Sequence, residues 1–280
     1  MKIKNLIAKR TEDEIRERIK NVCLGLLDKF AKVCKDYNLK WWLDGGTLLG
    51  AVRNGKIIPW DDDIDVTMPR DDYDELCQLA LTDSNLFGTY FFQTGHVDNC
   101  FEVHAKLRDP NTCALTEREF GGTHHRGMFL DIFPLDNAPN DLHVRKDIAG
   151  FVRTIAKHTG QEQKFENSSK YFNMLNNVLR TVGNRYKHSG FIANMTFWRY
   201  DKNLRILKKS NYERTQTIIF EDRPCPIPSG YEQVLKSWYG TSWKIPTQVP
   251  NCHKAFVDPF NSYKHYNGCT KEDFDRLING

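Results

Sequence analysis

Apolar residues recur near the start of the chain at steps of three and four: Ile15, Ile19, Val22, Leu26, Phe30, Val33 and Tyr37. That is the period of one buried helix face. Thr11 and Glu14 have the spacing of a capping box, so the pattern predicts a helix over 11–37, with Lys35, Asp36 and Asn38 marking its end. Residues 39–44, Leu-Lys-Trp-Trp-Leu-Asp, predict a strand that leads at once into Gly45-Gly46-Thr47. Leu48, Leu49 and Val52 then suit a short helix closing at the turn dipeptide Asn54-Gly55, and 57–60 reads as a loop or edge segment. Alternation over 64–68 predicts a second strand. Pro69 and the acidic pair Asp71-Asp72 fit the first turn of a helix reaching Leu81. Further strands are expected at 90–93, 101–107, 114–116 and 127–133. The second and third of these are joined across the turn Asp109-Pro110-Asn111, and the last ends at Pro134.

The period changes near residue 141. Over 141–210 the pattern predicts several helices, interrupted near Gly160, Ser168-Ser169 and Gly183. Residues 218–220 suit a late strand. Pro224, Pro226 and Pro228 keep 223–230 extended or turn-like, because each proline restricts the residue before it; a helix over 231–238 follows. The expected architecture is an α/β (α+β) core over 1–140, a mainly helical part over 141–210, and a segment over 211–280 packed back on the core.

Composition narrows the function classes. Hydrophobic residues make up 40% of the 280, yet no apolar run approaches the roughly 18–20 residues of a membrane span. The first ten residues lack the apolar stretch of a signal peptide, which predicts a cytoplasmic protein. Eight cysteines are scattered without a CxxC pair, so reduced thiols are expected; a zinc site including Cys225 and Cys252 is the alternative. Residues 141–210 hold 14 Lys+Arg against 5 Asp+Glu in a chain whose net charge is only +4. Such a basic part suits phosphates, an acidic glycan or peripheral contact with the anionic inner membrane face, as well as plain solvation. It does not call for nucleic acid.

The chemistry concentrates in residues 43–68, LDGGTLLGAVRNGKIIPWDDDIDVTM. Asp63 and Asp65 flank Ile64 on the predicted strand, and residues two apart share a face. Two like charges converging there are costly unless a cation neutralises them, and hard oxygen ligands suit magnesium, with manganese as a substitute. Gly45, Gly46 and Thr47, between a strand and a helix, offer backbone amides and a hydroxyl to a phosphate.

Leu43–Gly50 and Trp60–Asp65 resemble the marks of the LicD family, which is related to fukutin and fukutin-related protein. Asp131–Asp136 (Asp-Ile-Phe-Pro-Leu-Asp) and a C-terminal pattern at Pro226, Pro228, Tyr231, Leu235, Tyr239, Gly240 and Pro246 extend the likeness over about residues 20–250. The resemblance implies a nucleotidyltransferase-like core with a third carboxylate, for which Asp131 is the candidate, completing a metal site with Asp63 and Asp65 or accepting a proton. It implies phosphate contacts from Lys106 and Arg108, which alternate with Leu107, and more weakly from Arg53, His125 and Arg126. Asp136 is read as turn chemistry beyond Pro134, and Asp61 and Asp62 either as carboxylates that orient water on the metal or as solvated loop carboxylates. The implied reaction moves phosphocholine from CDP-choline, or another alcohol phosphate from its CDP donor, to a sugar hydroxyl of a glycan, with CMP released. A choline headgroup would favour an aromatic cage, with Trp42 and Trp60 nearest to the motifs. A nucleotidyltransferase that releases pyrophosphate from an NTP and a non-catalytic nucleotide-binding scaffold are the rival readings.

Overall fold

The structure, a computed structural model, describes residues 10–98, 100, 103–116, 124–161, 168–246 and 255–279. Helix α1 spans Glu12–Asp36 with the capping box between Thr11 and Glu14 in place. It buries Val22, Leu26, Phe30 and Val33, while Tyr37, expected on that face, lies past the last turn and is exposed. Strand β1 (Trp42–Leu43) runs through Asp44 into α2 (Gly45–Asn54), whose end is closed by Gly55 at φ 67°. Then come β2 (Ile64–Pro69), α3 (Arg70–Thr82), β3 (Phe91–Gln93), β4 (Ala105–Arg108), β5 (Cys113–Thr116) and β6 (Phe129–Asn137).

The main sheet has the order β1-β2-β6-β4-β3. Strands β2 and β6 are parallel; the other pairs along this path are antiparallel. This is a mixed α/β fold. Its register explains the alternation in the sequence. Ile64, Val66, Leu130, Ile132, Ala105 and Leu107 are wholly buried in the largest hydrophobic cluster, which includes α1. The residues between them point to the opposite face.

Strand β6 does not stop at Pro134. The antiparallel partner β4 has ended at Ala105, opposite Ile132, and β7 (Phe191–Ala193) begins only opposite Asn137 and Asp136. A residue without an N–H is tolerated in that gap. The basic part consists chiefly of α4 (Leu142–Gln161) and α5 (Ser168–Arg185). Gly183 lies inside α5 rather than breaking it, within 3.6 Å (from an added Cβ) of the Asp136 carboxylate. Short strands β7 and β8 (Leu207–Lys208), which the pattern did not predict, hang from β6 and extend the sheet. Together α4, α5 and β7 enclose a second cluster around Val152, Leu175, Leu179 and Trp198.

The proline-rich run is a strand. β9 (Thr215–Phe220) and β10 (Arg223–Pro228) form a hairpin turned by Glu221 and Asp222, both at positive φ (45° and 63°), as a two-residue hairpin turn of the primed type requires. The prolines occupy every second position, so their missing amides all fall on the side away from β9. Cys225 and Ile227 face the core. Helix α6 (Tyr231–Tyr239) packs on α2. β11 (Ala255–Asp258) pairs with β5, and α7 (Lys271–Asn279) covers them in a third small cluster.

The seven described cysteines are reduced thiols. Cys252, the other half of the zinc alternative, lies outside the described residues. Among the described residues, no helix is long and apolar enough to cross a membrane.

Candidate active site

One face of the sheet gathers the acidic residues. Asp65 stands opposite Asp131 across β2–β6, and Asp131 opposite Lys106 across β6–β4. Asp63, Asp65 and Asp131 each offer a carboxylate oxygen, and these atoms lie within 4.8 Å of one another. Like charges this close resist ionisation. Burial, and then Asp62 and Asp131 for Asp63, and Asp63 and Asp131 for Asp65, hold both carboxyls well above their ordinary range.

Asp131 behaves oppositely. Burial alone would raise its pKa, but Lys106 Nζ at 2.6 Å and His104 Nε2 at 3.2 Å keep it below the usual range. His104 was not anticipated. It alternates with Lys106 on the same face as Asp131, so the same spacing that singled out Lys106 and Arg108 could have found it. The all-oxygen donor set, convergent and short of compensating cations at Asp63 and Asp65, fits a hard divalent ion such as magnesium or manganese.

The glycine turn has a role in this geometry beyond flexibility. Gly45 has φ 53°, and a Cβ there would collide with the Asp65 carboxylate; a Cβ on Gly46 would lie 2.6 Å from Asp61 Oδ2. The two glycines thus let carboxylates close on the N-terminus of α2, where helix amides favour negative charge. Thr47 is turned to the protein: its hydroxyl accepts from the Asp65 amide at 2.9 Å, which fixes the strand carrying the acids. From the far side, α1 supports the acidic loop, with the Cys23 thiol 3.5 Å from the Asp62 carbonyl.

Several expected phosphate contacts take other places. Arg108 shares the face of Lys106, and both stand over the Phe129 ring, Lys106 Nζ at 3.6 Å from its centroid. Arg108 is fully buried, however, donating to Gln93 Oε1 and to the Gly127 carbonyl. Arg53 donates to the carbonyls of Trp243 and Ile245 and clamps the turn after α6. His125 is buried between the rings of Phe91 and Tyr263, and Arg126 is buried against Asn267. Trp42 is core, with Nε1 on Thr215; Trp60 is 39% exposed.

Asp136 is not turn chemistry. It is wholly buried and holds Arg70 through two bonds of 2.6 and 2.8 Å. Arg70 also reaches Asn176 on α5 at 2.9 Å and Asp74 at 3.3 Å, and Asp74 accepts from Arg180 at 2.9 Å. This network fastens the helical part to the strand that carries Asp131.

The sequence profile of the family described as "LicD/FKTN/FKRP, nucleotidyltransferase domain" matches residues 38–178, half of the chain. The lipopolysaccharide cholinephosphotransferase LicD of Haemophilus influenzae is 26% identical over 266 residues, 81% of this chain and 91% of that protein. An uncharacterised Rickettsia prowazekii protein, RP689, is 50% identical over 103 residues, 39% of its length. The human ribitol 5-phosphate transferase FKRP is 41% identical over 61 residues, only 12% of its own length. Because the family profile spans both motif regions and the strand of Asp131, the chain belongs to the LicD family.

Proposed function

We propose that this protein transfers a phosphorylated alcohol, choline phosphate in the first instance, from a CDP-activated donor to a sugar hydroxyl of a glycan, with CMP as the leaving group. The observation that carries the reading is the convergence of Asp63, Asp65 and Asp131 on one face of a core we take to be of the nucleotidyltransferase type. Its support from relatives is the match over 81% of the chain to a cholinephosphotransferase.

Asp63, Asp65 and Asp131 would hold a magnesium or manganese ion, which when bound supplies positive charge to a diphosphate and its departing CMP. The protein's own groups do the rest. Lys106 and His104 fix Asp131 ionised and oriented. Thr47 sets the position of Asp65, and Gly45 and Gly46 leave the space into which Asp65 and Asp61 fit. Lys106 also adds a positive charge beside the place where donor oxygens would lie. His143, Lys146, Arg153 and Lys157 are exposed on α4 at spacings of three, seven and four, which supports an anionic partner for that face, a glycan or the cytoplasmic membrane surface.

The test is a donor screen with CDP-choline, CDP-ribitol and CTP, magnesium and a glycan acceptor, with nucleotides resolved by chromatography. CMP together with an alcohol phosphate on the glycan is the expected outcome. Pyrophosphate from CTP would make the protein a nucleotidyltransferase instead. Nucleotide binding without any turnover would make it a scaffold.

A further inference from the structure

Asp44 has no part in the chemistry above. It stands at the N-cap of α2, where a carboxylate ordinarily accepts from an amide two or three residues on, yet its side chain makes no such cap. It is 6% exposed, and Oδ1 has no hydrogen-bond partner. A buried carboxylate oxygen without a donor is costly unless a ligand compensates it. The Asp44 amide donates to the Asp65 carbonyl at 3.0 Å. This extends the β1–β2 register by one residue and puts Asp44 on the same face as Asp65. It is nonetheless outside the group of three carboxylates that converge within 4.8 Å.

Aromatic residues share its face and feel its charge. Trp42 precedes it by two positions on that face and meets Tyr212 edge-on, with centroids 5.1 Å apart. Tyr212 is buried and Tyr239, at the end of α6, is 39% exposed. Burial foremost, and the charge of Asp44 with it, raise both phenols, with Asp65 acting more strongly than Asp44 on Tyr239. A hard divalent ion demands several oxygens. One uncompensated carboxylate oxygen among aromatic rings suits an organic ammonium, which draws on the carboxylate for charge and on π faces for the remainder.

We infer that Asp44, with Trp42, Tyr212 and Tyr239, forms the subsite for a cationic alcohol headgroup and sets its preference over a neutral one. The inference rests on the phosphoalcohol-transfer reading of the adjoining site. It is tested by calorimetry with two probes, choline phosphate and its neutral isostere 3,3-dimethylbutyl phosphate, in the presence of magnesium. The wild type should bind choline phosphate about ten- to a hundredfold more tightly, as one carboxylate charge in a partly desolvated site implies. Asp44→Asn should bind the two alike. Tyr239→Leu, at a partly exposed position, should lose about two- to fivefold of the preference.

Equal affinities in the wild type, or no binding of either probe at millimolar concentration, would overturn the inference. So would an Asp44→Asn protein that keeps the preference and loses magnesium affinity, since Asp44 would then be a metal ligand. Turnover of CDP-choline is read separately: preference without turnover removes the reaction and leaves the subsite, whereas turnover without preference removes the subsite.

Discussion

Replacing Asp136 by Asn tests whether the buried network holds the helical part to the catalytic sheet. Asp136 is wholly enclosed, and the Arg70 side chain is 10% exposed. Removing one partner of a buried ion pair leaves an uncompensated charge and typically costs about 3–5 kcal/mol. Arg70 would keep Asn176 at 2.9 Å and Asp74 at 3.3 Å, so the lower end, about 3 kcal/mol, is expected for Asp136→Asn. That is a large share of the roughly 5–15 kcal/mol that stabilises a typical domain. Urea unfolding followed by both tryptophan fluorescence and far-ultraviolet circular dichroism gives the midpoint and slope. It also reveals whether α4 and α5 detach before the sheet, since the two signals then cease to coincide. The double variant Arg70→Met/Asp136→Leu should be more stable than Asp136→Asn, because it removes both charges together. An Asp136→Asn protein within about 0.5 kcal/mol of wild type, or a double variant no more stable than Asp136→Asn, would refute the argument.

Two further outcomes follow from particular contacts. Thr47→Val takes the acceptor from the Asp65 amide; it should cost about 1–3 kcal/mol for the unsatisfied group and lower turnover, with Thr47→Ser restoring both, and an unchanged melting temperature and rate would contradict it. His125 is held neutral, its pKa lowered from 6.5 to about 3 by burial first and then by Arg108, Lys264, His124 and Arg126. The unfolded chain therefore binds one proton more than the folded one between those values, and stability should fall as pH drops from 6.5 toward 3, by at most about 1.4 kcal/mol per pH unit from this group. His125→Phe should flatten that part of the profile, and an unaltered slope would dismiss it.

What the sequence revealed was what neighbours along the chain decide. The capping box at Thr11, the αL closure at Gly55 and the alternation around Asp63 and Asp65 are local, and each was readable. The positions that misled depend on contacts far away in sequence. Asp136 looked like a turn residue because Arg70 lies 66 positions earlier. Arg108 was correctly placed on the face of Lys106, but alternation cannot tell that Gln93 and Gly127 close over it. Pro134 seemed to end a strand, since the gap between β4 and β7 is a property of the assembled sheet. Asp44 passed as the last residue of a strand because its missing cap shows only in three dimensions. β7 and β8, at three and two residues, are too short for periodicity to register.

The central claim is that transfer depends on the three convergent carboxylates. The direct measurement pairs manganese binding, by titration calorimetry, with CMP release from CDP-choline in the wild type, Asp63→Asn, Asp65→Asn and Asp131→Asn. Each variant should fold, as circular dichroism would show, because each loses a repelling or costly buried charge, although Asp131→Asn also leaves Lys106 without its partner. Asp63→Asn and Asp65→Asn should lose both metal affinity and CMP release by at least about a hundredfold, the loss of roughly 3 kcal/mol of charge stabilisation. Wild-type rates or wild-type manganese affinity in either of these two would contradict the account.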